Sequence, residues 1–197
     1  MPSLELPAAG DPIPSNCQII EVRVAGLTQL FNTIDPTPFR ERDLDPRVEE
    51  FIVGWARELP HKRLIALLVH LDQHAGSADE AVVVRDAIHR FFSDRARASR
   101  ARLRQLFRQG RISLAIGLTV LTALIGAAEF LARRTTETGI APILHESLLI
   151  GGWVAMWRPL EVFLYDWWPI RAEARLFDRL ATMPVRLTYA PATGSRA

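Results

Sequence analysis

Apolar residues recur at three different periods along this chain, and each period predicts a different kind of element. From Ile20 to Val24 apolar and charged residues alternate as IEVRV, the two-residue period of a strand with one wet face. PVRLTY, from Pro184 to Tyr189, repeats that alternation with Val185, Leu187 and Tyr189 on the inner side. RLIALLVHL, from Arg63 to Leu71, is apolar at almost every position, which predicts a central strand covered on both faces. A helical period takes over after Asp45, which reads as an N-cap followed by Pro46 at the first helical position. Val48, Phe51, Ile52, Trp55 and Leu59 then fall on one face, and Pro60 ends the element. Strand, helix and strand in that order predict a right-handed crossover between parallel neighbours. Ser77 and Glu80 form a capping box. They open a second helix with Val84, Ile88, Phe91 and Phe92 on one side and no breaker before Gly110.

Two further stretches lack periodicity because they are apolar on all sides. ISLAIGLTVLTALIGAAEFLA, from Ile112 to Ala132, carries Glu129 as its single charge and has the roughly 20 residues needed to cross a hydrocarbon core. A second run from Ile143 to Leu164 is interrupted by His145, Glu146, Arg158 and Glu161 and is followed by Tyr165, Trp167 and Trp168, aromatic residues suited to an interfacial belt. RRTTETGIAP joins the two and is too short for a domain. The expectation is an antiparallel two-helix transmembrane hairpin over 111–168; a buried soluble core helix is the competing reading of the second run.

Charge sets an expected orientation. Of 24 basic residues, Lys62 is the only lysine, and the net charge is +2. Arg95, Arg97, Arg100, Arg102, Arg104, Arg108 and Arg111 precede the first span, and Arg171, Arg175 and Arg179 follow the second, whereas the connection holds only Arg133 and Arg134. The positive-inside rule then places both termini in the cytoplasm. On a wheel of 100° per residue Arg90, Arg97, Arg100, Arg104, Arg108 and Arg111 fall within an arc of about 80°, a stripe expected to hold anionic headgroups. Nucleic acid is the disfavoured ligand, because no aromatic residues interleave the stripe.

Rows of small residues predict how the spans pack. Ala115, Thr119, Ala123 and Ala127 recur every fourth position, as do Ser147, Gly151 and Ala155, with Pro159 next. Such rows let helix backbones approach in lipid. The expected register sets Ala127 opposite Ser147, Ala123 opposite Gly151, Thr119 opposite Ala155 and Ala115 opposite Pro159. Arg158 would lie about 22 Å into a core of about 30 Å, within snorkelling reach of its cytoplasmic edge. Glu161 lies one turn on as an ion-pair partner, and Pro159 should kink the helix. An intramembrane polar site formed by Arg158, Glu161 and Glu129 is the sharper reading, and the same register sets Glu129 level with His145 and Glu146.

Candidate chemistry elsewhere is thin. His70, Asp72 and His74 in HLDQH could form a metal or acid–base cluster, though a strand exit with solvated side chains explains them as well. PFRERDLDP could bind an anion through Arg40 and Arg42 at a helix N-terminus, but Asp43 and Asp45 already occupy that electrostatic position. Cys17 is the single cysteine and reads as a solvated thiol. The sequence contains no Gly-rich phosphate loop or nucleophile elbow. Residues 1–16, rich in Pro, Gly and Ala, read as a disordered tail with no signal-peptide pattern.

The expected architecture is a small α/β (α+β) cytoplasmic domain with about three strands, formed by 17–109 and completed by 183–190, with the hairpin inserted and 169–197 as a C-terminal segment and tail. FNTIDPTPFRERDLDPRVEEFIVGWARELP, GRISLAIG and LLIGGWVAMWRPLEVFLYDWWPI together resemble an uncharacterised family of small bacterial two-helix inner-membrane proteins. The resemblance covers most of the chain and implies a bacterial inner-membrane location, with no activity or site residue attached. The expected function is a non-enzymatic membrane anchor, without cofactor or metal, that presents a small domain to lipid headgroups, another protein or a second copy. An oligomeric channel or transporter component using Arg158 and Glu161 is the alternative, and a membrane-associated hydrolase using His70, Asp72 and His74 a further one.

Overall fold

The computed structural model of the chain describes residues 8–32, 42–60, 63–72, 79–134 and 141–189. They form a mixed α+β fold. Four strands, β1 (Ala8–Gly10), β2 (Cys17–Val24), β3 (Leu64–Leu71) and β4 (Val185–Tyr189), make one sheet in the order β1-β4-β3-β2. The helices are α1 (Pro46–Glu58), α2 (Glu80–Arg134), α3 (Ala141–Glu161) and α4 (Trp167–Ala181), with a π-helical turn over Val162–Asp166. The chain divides into two compact units, Met1–Arg97 with Ala174–Ala197, and Ala98–Glu173.

In the first unit β3 is the central strand, parallel to β2 on one side and to β4 on the other. Both steps, β2 to β3 and β3 to β4, move the same way across the sheet, so right-handed crossovers lay their helices on one face. That face is the core. Ile20, Val22, Val24, Leu67, Val69, Leu71, Val185 and Leu187 meet Ile52, Ala56, Val84, Ile88, Phe92 and Leu180. Phe92 stacks on Phe177 at 6.3 Å between ring centroids and meets Phe91 edge-on at 5.3 Å.

Polar contacts close the same layer. His89 donates through Nε2 to the Met183 carbonyl at 2.7 Å. The Arg179 guanidinium donates to the carbonyls of Pro60 and Arg63 at 3.3 and 2.7 Å. It thereby ties α4 to the segment that leads into β3. Glu80, 8% exposed at the start of α2, accepts from the Tyr189 hydroxyl at 3.4 Å. Burial, followed by the Glu80 charge, raises the Tyr189 pKa.

Three expectations are corrected here. The stretch read as a tail contributes β1, which pairs antiparallel with β4 and brings the sheet to four strands. Three residues, Ala-Ala-Gly, are too few to show alternation, and the strand is defined by its end. Gly10 has φ +111°, and a Cβ there would lie 2.6 Å from the Val185 carbonyl oxygen. Asp11 then bonds Val185 through both its backbone N–H and its carboxylate, and accepts from Arg85 at 3.1 Å. Second, the two faces of β3 are not covered alike. Ile65, Leu67, Val69 and Leu71 lie in the core, whereas the other side carries buried Ala66 between Leu64, which is 56% exposed, and half-buried Leu68 and His70, beside Ile19, Glu21 and Arg23 of β2. Third, α1 is rotated from its expected seating, burying Ile52, Val53 and Ala56 and leaving Phe51 and Trp55 44% and 50% exposed. Its cap is as expected, with the Asp45 carboxylate accepting from the Arg47 N–H at 2.9 Å.

The second unit contains the later part of α2, α3, the π turn and the first residues of α4. Gly117 lies against Ala155, Met156 and Pro159, Leu121 against Gly152, and Leu124 against Gly151. As the numbers rise on one helix they fall on the other, so the two apolar helices run antiparallel. The span expected to close at Trp168 stays helical beyond it, and Pro159, where a kink is expected, lies within the helix. α3 passes through Pro159, and the π turn restarts the helix at Trp167. Pro169 follows directly on the π turn and lacks the N–H that would otherwise bond back into it.

Candidate functional site: the apolar helix pair and its charged border

The seam between α2 and α3 is narrow. On α2 it runs through Gly110, Gly117, Leu121, Leu124 and Ala128, and on α3 and the π turn through Gly152, Ala155, Pro159 and Val162. Steps of three and four residues on both helices give a heptad-like stripe. Gly117 is the tightest point against backbone, since a Cβ there would lie 3.0 Å from the Ala155 carbonyl oxygen. Pro159 explains why that oxygen is open to a neighbour: it lacks the N–H that would otherwise bond the carbonyl four residues back.

The small-residue rows lie elsewhere. Ala115, Thr119, Ala123 and Ala127 are exposed, as are Ser147 and Gly151, and Ala155 alone of the seven is at the seam. Gly151 only grazes Leu124, with its Cβ position 3.8 Å from Leu124 Cδ1. The Thr119 hydroxyl donates back to the Ala115 carbonyl at 2.8 Å, which satisfies it within its own helix. The expected level of the two helices is thus close to the observed one, whereas the face of α2 is turned. Leucines and glycines fill the seam together, a packing that a search for small residues alone does not find.

The charged border is built around Arg158. Its guanidinium donates to Glu161 at 2.9 Å and lies 3.5 Å from Asp166. Asp166, two helical turns on from Arg158, is a partner that the sequence reading did not name. Both carboxylates follow Arg158 in the chain and draw its side chain toward the arginine-rich end of the pair. There Gly110 packs against Val162 and Phe163, just before the uninterrupted apolar run of α2 begins at Ile112. In the π turn the Phe163 carbonyl takes its hydrogen bond from the Trp167 indole N–H, at 2.9 Å. At the opposite end Glu129 lies 3.7 Å from Arg133 on its own helix, while His145 is half-buried and Glu146 exposed.

Of the arginine stripe, Arg97 pairs with Asp94, and Arg100, Arg104, Arg108 and Arg111 are all exposed. Arg104, Arg108 and Arg111 have no carboxylate partner among the described residues. In the sheet unit His70 does not meet Asp72. Its Nδ1 is 2.8 Å from the Thr188 hydroxyl and its Nε2 3.4 Å from Glu21. Asp72 instead uses its backbone N–H to reach the Val24 carbonyl at 3.3 Å. His74, Arg40 and Ser77 lie outside the described residues. Arg42 is half-buried and Cys17 is a half-buried free thiol. No group of three potential metal ligands occurs among the described residues. Comparison with protein-family models, curated proteins and solved structures gave no match.

Proposed function

We propose that this chain is an integral protein of the bacterial inner membrane, in which α2 and α3 form a two-pass anchor and the sheet unit is presented at the cytoplasmic face without enzymatic activity. Two helices long and apolar enough to cross a membrane support the first part. Their outward side chains include Ile116, Leu118, Ile150 and Val154, all exposed, and in water these would leave a large apolar surface on every side. The observation that carries the reading is the pairing of β4 with β3 and β1. Chain from before the first span and chain from after the second join one sheet, so both must lie on the same side of any membrane crossed between them. The arginine bias favours the cytoplasmic side, and the stripe through Arg104, Arg108 and Arg111 suits anionic headgroups there.

The internal ion pairs weigh against a channel or transporter component. Arg158, Glu161 and Glu129 each have a partner along their own helical segment, which fits an interfacial border better than a solute path. A hydrolase built on His70, Asp72 and His74 draws no support from His70, whose neighbours are Thr188 and Glu21. The direct test is extraction. The full chain should remain in the membrane pellet after an alkaline carbonate wash and enter solution only with detergent; recovery in the carbonate supernatant would overturn the proposal.

A further inference from the structure

We infer that the cleft lined by Leu103, Phe107, Phe163, Trp167 and Arg171 holds one anionic phospholipid, its phosphate on Arg171 and its glycerol and upper acyl portion against the rings. The inference rests on the membrane reading above. All five residues belong to the second unit and border one open depression between α2 and the segment running from the π turn into α4.

Two contacts bracket the cleft: Gly110 against Val162 and Phe163 at one end, and the Ser99 hydroxyl donating to Glu173 at 3.3 Å at the other. It therefore lies on the arginine side of Ile112. At 1.5 Å per residue, Phe107 is about 7 Å beyond the start of the apolar run, in the headgroup and glycerol zone rather than the hydrocarbon. The lining is nevertheless aromatic. Phe107 is 6.1 Å from Phe163 and 6.5 Å from Trp167 between ring centroids. Because the Trp167 N–H is taken by the Phe163 carbonyl, that indole offers the cleft only its hydrocarbon surface.

One cation stands at the rim. The Arg171 guanidinium lies 5.5 Å over the Trp167 ring and has no carboxylate partner among the described residues. The nearby acids are engaged, Asp166 by Arg158 at 3.5 Å and Glu173 by Ser99. Arg104 and Arg108 flank Phe107 in the chain and are exposed. An apolar lining beside unmatched positive charge at a bilayer border is complementary to an amphiphile with an anionic head. Free phosphate would use the arginine and leave the rings uncovered, whereas a zwitterionic lipid brings a second cation toward Arg171.

The test is native mass spectrometry of the full-length protein in mild detergent, titrated with phosphatidylglycerol, with phosphatidylcholine of the same acyl chains, and with inorganic phosphate. One phosphatidylglycerol should be retained per chain, about fivefold to tenfold more tightly than phosphatidylcholine, the scale of one arginine–headgroup contact. Excess inorganic phosphate should not displace it. Arg171→Gln should abolish the preference and Phe107→Ala should lose the retained lipid. Phe107→Leu, which keeps the apolar surface, should hold it, and so should Arg133→Gln at the far end of the pair. Equal retention of both lipids, unchanged retention in Arg171→Gln or Phe107→Ala, loss of retention in Phe107→Leu or Arg133→Gln, or displacement by inorganic phosphate would each overturn the inference. Carbonate extraction of the same preparation separates the two failures. A chain that resists the wash but shows no selective retention refutes only the lipid site, and a chain released by the wash refutes the membrane reading beneath it.

Discussion

Replacing Gly117 with leucine should weaken the helix pair, while the same change at Gly126 should leave it intact. Both glycines lie inside the apolar part of α2, but only one is at the seam. A Cβ on Gly117 would sit 3.0 Å from the Ala155 carbonyl oxygen and 3.3 Å from Met156 Sδ, whereas a Cβ on Gly126 meets nothing within 4 Å. The first obstacle is backbone and cannot rotate away, so α3 must move. Alanine at either position gains up to about 1 kcal/mol of helix propensity. At Gly117 that gain is set against overpacking of about 1–3 kcal/mol, a net loss of about 0–2 kcal/mol. Leucine brings three more carbons toward the same carbonyl, and its loss should reach about 3 kcal/mol or more. Unfolding in mixed micelles of mild detergent and increasing sodium dodecyl sulfate, followed by tryptophan emission, reads the difference, since four of the five tryptophans are in the second unit. The reasoning fails if Gly117→Leu unfolds at the same detergent fraction as Gly126→Leu.

In the sheet unit, Phe92→Ala should cost about 3–5 kcal/mol, because Phe92 is fully buried against Phe91 and Phe177. Trp55→Ala, whose side chain is half exposed and touches Phe51, should lose clearly less in urea unfolding, about 1–2 kcal/mol, and a loss as large as that of Phe92→Ala would mean that α1 is seated on its aromatic face after all. Gly10→Ala should cost about 1–3 kcal/mol from the left-handed backbone alone and expose the β4 edge. Faster amide exchange at Val185 and Leu187, the β4 residues whose N–H groups face the β1 side, would report it; exchange unchanged from wild type would show that β1 does not protect the edge. Tyr189 ties stability to alkaline pH. Its folded pKa is raised, so the folded state keeps a proton that the unfolded chain releases above about pH 10. The resulting stabilisation is complete below that value and is lost as pH rises through the folded pKa. Tyr189→Phe should therefore have a flatter melting curve above about pH 10 than wild type, and identical slopes would contradict the buried Tyr189–Glu80 pair.

The elements that could be read from sequence were those with one strong period. β2 and β4 alternate cleanly, and the helix through Val84, Ile88 and Phe92 buries all three. Asp45 and Pro46 locate the start of α1 because capping is a local matter of backbone donors. Which face of a helix is buried proved less legible. On α1 the large rings of Phe51 and Trp55 drew the expected stripe away from Val53 and Ala56, which are smaller but point into the core. On α2 the regular row of Ala115, Thr119, Ala123 and Ala127 suggested a seam, yet Leu121 and Leu124 fill it against glycines of α3. In an all-apolar helix the hydrophobic period cannot choose a face, and shape complementarity with the partner decides. β1 and Asp166 were missed for another reason. Each is fixed by residues distant in the chain or two turns away, Val185 and Arg85 for Asp11, and Arg158 for Asp166.

Labelling of single cysteines from one side of the membrane tests the central claim most directly. In a Cys17→Ser background, where no other thiol remains, cysteines placed singly at Thr136, between the two apolar helices, and at Ser195, beyond β4, should differ in intact spheroplasts treated with a membrane-impermeant maleimide. The two-pass account predicts labelling at position 136 and protection at position 195 until the cells are lysed. Equal labelling of both positions in intact cells, or protection of both, would contradict it.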